Sequence, residues 1–326
     1  MKLLKILTQA AGPSGNEERI RDVIINEVKP YADDIVTDPL GNLIVHKKGP
    51  GKKLMLDAHM DEIGIIVTYI EDNGLLRFSN LGGLMLNTII SQRVRFFNGV
   101  CGSVYKEMNG ESALSLSEMY IDIGAETKEE AEKMISVGDV AVFEGAFEEK
   151  GNRIVSKALD DRAGCYVLIE ALKQVKEPKN DLYFVFSVAE ELGLRGAKTA
   201  PYNIFPDFAV AVDVTRTGDL PGKTKMAVIL GEGACIKVKD SSVLCHPYMK
   251  NKLKDLAEKQ NIPYQMEVLE SGGTDTGAIQ HAVGGVPSGC ISLPTRYIHT
   301  PSEMIDKRDL DAAVALMSAI IEDGCE

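Results

Sequence analysis

Two adjacent carboxylates, Glu190 and Glu191, stand where an apolar run ends. The run, Leu182-Tyr183-Phe184-Val185-Phe186 followed by Ser187, Val188 and Ala189, predicts a strand buried on both faces. Neighbouring anions at the mouth of such a strand repel each other unless positive charge meets them, and metal would supply it. A second segment, Asp57-Ala58-His59-Met60-Asp61, closes the apolar strand Lys53-Leu54-Met55-Leu56. Period-2 alternation puts Asp57, His59 and Asp61 on one face and Ala58 and Met60 on the other.

Singly, each of these acids reads as a solvated carboxylate, and a lone histidine reads as a satisfied one. The set changes that reading. His59, Asp160, Glu191, Asp213 and His299 each lie at the end of an apolar strand or at the start of a helix that follows one. Two imidazoles with three carboxylates suit Zn²⁺, Co²⁺ or Mn²⁺. Five such ligands serve two ions when one carboxylate bridges. Asp61, two residues from His59, can accept the second ring N–H of that imidazole. Successive residues of an extended strand point apart, so Glu190 and Glu191 are expected to divide their roles. Asp57 reads as structural or solvated. His46, His246 and His281 lack partnering motifs and read as incidental.

The elements that position these residues alternate between strand and helix. Residues 1–30 predict two helices around Gly12-Pro13-Ser14-Gly15-Asn16, with Ser14 and Glu17 as a capping box. Asp38-Pro39-Leu40-Gly41-Asn42 predicts a hairpin turn. From Gly64 to Ile154 short strands alternate with Gly, Asn and Asp turns, interrupted by one helix over 128–134. That texture predicts a small β-barrel inserted between 1–63 and 155–326 of an α/β domain. The α/β pattern then resumes: a helix over 165–172, the strand before Glu190, a turn around Pro201 and a strand over 208–212. A helix over 248–260, strands over 265–269 and 289–293 and a terminal helix over 307–321 complete it.

Bulk properties set the outer bounds. The 326 residues are 44% apolar and 26% charged, enough for a sizeable core. A net charge of −12 with no basic run argues against a nucleic-acid partner. Six cysteines without a C-x-x-C pair fit a reducing compartment, and the short apolar start fits neither a secretory signal nor a membrane span. These features predict a cytoplasmic protein.

Six motifs carry a resemblance: AHMDEIG, KALDDRAG, AEELGLRGA, AVDVT, SGGTD and RYIHTPSEM, in this order along nearly the full chain. The chain resembles the M42 metallo-aminopeptidases, of the glutamyl and deblocking type that assembles as tetrahedral particles. The resemblance implies a zinc-exopeptidase-like three-layer catalytic domain whose inserted barrel drives dimerisation, with dimers building a hollow dodecamer. It implies two divalent ions, Zn, Co or Mn, acting on short peptides from the N-terminus. His59 and Asp213 would hold one ion, Glu191 and His299 the other, and Asp160 would bridge them. Glu190 matches the family's general base and Asp61 the acid that supports His59. Thr274 and Asp275 match a substrate-side loop, and Arg296 reads either as a substrate contact or as a local salt bridge. Asp161 and Arg162 match a family motif, with a turn-stabilising ion pair as the structural reading. The stretch after Cys101 is shorter than the family's, which bears on assembly and access. Two other functions fit the same residues: a dinuclear amidohydrolase or deacylase on a non-peptide amide, and a catalytically silent assembly protein.

Overall fold

The computed structural model describes residues 1–108, 114–222 and 225–326. Part of the stretch after Cys101 that the sequence reading singled out, residues 109–113, lies outside the described residues. Two helices, α1 (Lys2–Gln9) and α2 (Glu18–Val28), bury Leu4, Leu7, Ile20, Ile24 and Val28 on one side of the molecule. The hairpin β1 (Asp34–Thr37) and β2 (Leu43–Lys47) follows, its turn held by Asp38 Oδ1, which accepts the backbone N–H groups of Leu40, Gly41 and Asn42. Strand β3 (Lys53–His59) then enters the sheet centre.

The chain next builds a closed barrel. Its strands are β4 (Gly64–Ile70), β5 (Leu76–Leu81), β6 (Arg93–Phe96), β7 (Cys101–Lys106), β8 (Met119–Asp122) and β9 (Val140–Phe143), joined in the order β4-β5-β8-β7-β6-β9. Short helices α3 (Leu86–Ile89) and α4 (Lys128–Glu132) interrupt the run. In β6 the exposed Arg93 and Arg95 alternate with buried Val94 and Phe96, as a strand with one face on a core must. Ile65, Val67, Val104, Ile121 and Phe143 fill the same interior.

Beyond the barrel come β10 (Glu148–Lys150), β11 (Arg153–Ser156), α5 (Leu159–Gln174), β12 (Asp181–Ser187), α6 (Arg195–Ile204), β13 (Phe208–Thr215) and β14 (Ala234–Lys239). The chain ends with α7 (Pro247–Gln260), β15 (Tyr264–Val268), α8 (Asp275–His281), β16 (Ser288–Pro294), β17 (Glu303–Asp306) and α9 (Lys307–Asp323). Eight strands form one sheet in the order β1-β2-β12-β3-β13-β16-β14-β15. The central neighbours β12, β3, β13 and β16 are mutually parallel. Helices α1, α2, α5, α7 and α9 cover one face, while Ala197, Ala200 and Ile204 of α6 and Ile279 of α8 cover the other. The result is a mixed α/β fold in three layers with a closed six-stranded barrel, as the sequence predicts. Among the described residues no helix is long and apolar enough to cross a membrane.

Several local expectations give way. Residues around Pro201 form helix rather than turn, because α6 buries Ala197, Ala200 and Ile204, and that packing outweighs one lost backbone hydrogen bond. Ser14 does not cap α2; its hydroxyl donates instead to Asp61 Oδ2 at 2.5 Å, and Glu17 occupies the cap position. Strand β14 answers to no clear run in the sequence. It carries Lys237, fully buried and ion-paired with Glu267 and Asp240.

Candidate active site

Parallel strands deliver their carboxyl ends to one edge, and the candidate ligands gather there. Ser187 of β12 lies in register with His59 of β3, and Asp213 sits near the end of β13. Past β12 the chain turns sharply at Ala189 (φ +50°), so Glu190 and Glu191 occupy a tight turn rather than an extended strand. Glu190 O accepts the N–H groups of Gly193 and Leu194, which fixes that turn.

Asp160 lies between the two imidazoles. Its Oδ1 is 3.0 Å from Nε2 of His59 and its Oδ2 is 3.3 Å from Nε2 of His299. Nε2 of His299 also lies 3.2 Å from Glu191 Oε1. Nε2 of His59 is 3.9 Å from Asp213 Oδ1 and 4.0 Å from Glu190 Oε2. Ligand-capable atoms form two groups, each with its members within 4.8 Å of one another: His59, Asp161 and Asp213, and Asp160, Glu191 and His299. All five sequence-predicted ligands therefore meet at one place. Asp161 joins them, although the sequence left its role open; two successive acids opening α5 were the available signal. No ion pair with Arg162 forms, because the Arg162 guanidinium is buried elsewhere, on Glu62 at 3.5 Å and on the Met60 carbonyl at 2.8 Å.

Asp61 ties the parts together. Its Oδ1 is 3.4 Å from Nδ1 of His59 and accepts the Glu190 N–H at 3.0 Å, while Oδ2 accepts the Glu191 N–H at 3.3 Å. Ser14 and Glu303 are contributors that sequence reasoning missed. Glu303, whose Oε2 accepts the Asp160 N–H at 3.0 Å, lies within the RYIHTPSEM motif, but nothing in its spacing announced that contact.

Charge is unbalanced here. Burial pushes the Glu190 and Asp213 carboxyls well above the ordinary range, against the pull of His59. Burial likewise raises Asp161, and Asp213 adds to it. Asp160 moves the other way: burial opposes its ionisation, but hydrogen bonds with His299 and His59 win and lower it. Burial disfavours the His299 cation, yet Asp160 and Glu191 lift it to about 11. Five clustered carboxylates against two imidazoles call for added cation. Asp161 Oδ2 is buried without a hydrogen-bond partner, and Gly164 lets the Asp161 carboxylate sit where a Cβ would collide with it. The oxygen and imidazole donors and their open lone pairs fit divalent ions.

A cavity of about 410 Å³ opens onto the cluster. Glu190, Glu191, Asp160, Asp213 and His299 reach it, with Leu194, Leu269, Ile298 and Arg216 around them. Gly272 and Gly273 of the predicted substrate-side loop line the cavity. Thr274 and Asp275 stand behind it, buried: Thr274 Oγ1 donates to Asp240, and Asp275 Oδ2 accepts from Ser187 Oγ at 2.5 Å. The same hydroxyl lies 3.4 Å from Asp57 Oδ2, so Asp57 and Asp275 form a buried carboxyl pair. Arg296 makes a two-pronged ion pair with Asp219 at 2.7 and 3.2 Å. His46 pairs with Asp181, His246 caps α7 and His281 meets the Gly277 carbonyl, each in a local role.

The family model described as M42 glutamyl aminopeptidase matches residues 41–316. A protein of Acetivibrio thermocellus is 54% identical over 317 residues, spanning 97% of this chain and 96% of its own. An aminopeptidase from the archaeon Desulfurococcus kamchatkensis superposes with a TM-score of 0.95 at 42% identity, covering 99% of this chain and 94% of that one. The TET1 peptidase of Pyrococcus horikoshii, which can assemble into a tetrahedron or a large octahedral shell, gives 0.89 at 34% identity, with 99% of both chains covered. This chain belongs to the M42 glutamyl aminopeptidase family of hydrolases.

Proposed function

We propose that the chain is a dinuclear metal aminopeptidase that removes N-terminal residues from short peptides. The observation that carries this reading is the Asp160 carboxylate, with one oxygen toward His59 and the other toward His299 at the floor of an open cavity. His59 and Asp213 would hold one ion, Glu191 and His299 the other, and Asp160 both. Asp161, beside His59 and Asp213, is a further donor to the first. Zn²⁺, Co²⁺ and Mn²⁺ all suit these donors. Two bound divalent ions would lower the pKa of a water toward neutrality and polarise the scissile carbonyl.

The residues of the chain do the rest. Glu190 reaches the cavity yet sits 4.0 Å from His59, near the metal centre without being needed as a ligand. Its raised affinity for protons suits a group that takes one from water and passes it to the leaving amine, work typically contributing ~10²–10⁴-fold. Asp61 keeps the His59 ring turned toward Asp160 and holds the backbone of Glu190 and Glu191. Thr274 and Asp275 act behind the cavity, by supporting its wall, and Arg296 acts through its ion pair with Asp219.

Hydrolysis of aminoacyl-p-nitroanilides and N-acyl amino acids by the metal-reconstituted protein tests the reading. Release of p-nitroaniline from free-amine substrates supports it, and turnover of N-acyl amino acids alone overturns it in favour of a deacylase. The inserted barrel, 64–154, is proposed as the assembly domain, building dimers and then a dodecamer; a dodecamer is the form of the similar PhTET1-12s particle. Light scattering should then give about twelve times 35.4 kDa. Six cysteines held as free thiols, five of them buried, favour a reducing cytoplasmic setting.

A further inference from the structure

Two glycines of the barrel segment press on ligands of the other domain. Gly82 and Gly83 follow β5 directly. A Cβ on Gly83 would stand 2.9 Å from Nδ1 and 3.1 Å from Cε1 of His299, with nothing else within 4 Å. One on Gly82 would stand 2.9 Å from Glu191 Oε2 and from Ile63 Cγ2, and 3.0 Å from the Glu191 Cβ. Gly82 has φ +82°, so its backbone already favours glycine. Gly83 is different: its φ is not positive, and the His299 ring alone makes a side chain costly there. Asn80 Nδ2 donates to the Gly82 carbonyl at 2.6 Å and tethers the turn.

The ring that Gly83 meets has little freedom to yield. Nε2 of His299 faces Asp160 at 3.3 Å and Glu191 at 3.2 Å, and its backbone N–H is held by Glu303 at 2.9 Å. Any shift of the Nδ1–Cε1 edge away from Gly83 therefore swings Nε2 relative to those carboxylates. Metal sites tolerate displacements of this kind poorly, since ligand orientation sets affinity.

We propose that the Gly82-Gly83 turn is a positioning element of the metal centre, seating the His299 ring and the Glu191 carboxylate from the barrel side. One half of the centre is thus built by both domains, and the half around His59 and Asp213 by the α/β domain. This inference rests on the proposed reading of Glu191 and His299 as ligands of one ion.

The test uses full-length protein freed of metal, titrated with Co²⁺ and followed by equilibrium dialysis and visible absorption. Wild type is expected to bind two ions per chain. Gly83→Ala should keep one at wild-type affinity and bind the second ~10–100-fold more weakly, with the thermal midpoint of the metal-free protein unchanged. Excess Co²⁺ should then restore its activity, which a general folding defect would not permit. Asn80→Ala, which adds no atoms, should weaken the same ion to a smaller degree and decides the matter if Gly83→Ala does not fold. Two ions at wild-type affinity in the folded variants overturn this inference alone. A wild type that binds no Co²⁺ overturns the proposed function and this inference together.

Discussion

Glu303 accepts the backbone N–H of Asp160 at 3.0 Å through Oε2. Its other oxygen accepts the backbone N–H of His299 at 2.9 Å, so one buried carboxylate fixes the chain at two candidate ligands 139 positions apart in the sequence. Glu303→Gln keeps one acceptor and turns an amide NH₂ toward the other N–H. A buried donor left without a partner costs about 1–3 kcal/mol. The variant should melt earlier and bind metal ~10–100-fold more weakly. Calorimetry and metal titration measure both, and a variant matching wild type in each would remove Glu303 from this role.

Glu190→Gln keeps the volume and the backbone contacts to Asp61 but cannot accept the proton of an attacking water. Turnover should fall by ~10²–10⁴-fold while metal content stays at the wild-type value. Steady-state kinetics beside elemental analysis separates the two quantities. Activity within threefold of wild type would assign the proton transfer to another group.

Ser14→Ala removes the 2.5 Å hydrogen bond to Asp61 Oδ2 without disturbing the ligands themselves. Asp61 would then hold His59 with one anchor fewer, and kcat/KM should drop by about tenfold. Ser14→Thr, which retains a hydroxyl, should recover most of it. Equal losses in the two variants would point to packing rather than to the hydrogen bond.

Burial raises the Glu17 carboxyl to about 7, despite hydrogen bonds from the Gly15 and Ala189 backbones, with the nearby Asp61 charge adding to the rise. The unfolded chain releases this proton near 4.3, so the fold favours the protonated form. Its stabilisation is complete below that pH and is lost as pH rises through about 7. Glu17→Gln carries no such titration, and its stability relative to wild type should grow between pH 4.5 and 7.5 by on the order of 1–3 kcal/mol. Denaturant titrations across that range provide the check, and parallel curves would refute it.

Much of this site could be read from residues that end apolar runs. Strands β3, β12 and β13 announce themselves by composition, and in a parallel sheet their ends must converge, so His59, Glu190, Glu191 and Asp213 were legible as a group. Asp161 was not, because its partners are set by the local turn that opens α5 and not by any periodicity. Ser14 looked like a helix cap since short-range rules know only short-range acceptors, whereas Asp61 lies 47 residues away and wins the hydroxyl. Pro201 misled for the opposite reason: propensity argued against helix, and burial of Ala200 and Ile204 overrode it. Gly83 was invisible in the sequence because its constraint is a ring brought from residue 299.

Metal stoichiometry bears most directly on the shared role of Asp160. Metal-free wild type titrated with Co²⁺ should take up two ions per chain and gain activity on aminoacyl-p-nitroanilides as the second binds. Asp160→Ala, which removes the one carboxylate facing both imidazoles, should weaken both ions together. An Asp160→Ala protein that still binds two ions at wild-type affinity would contradict the account.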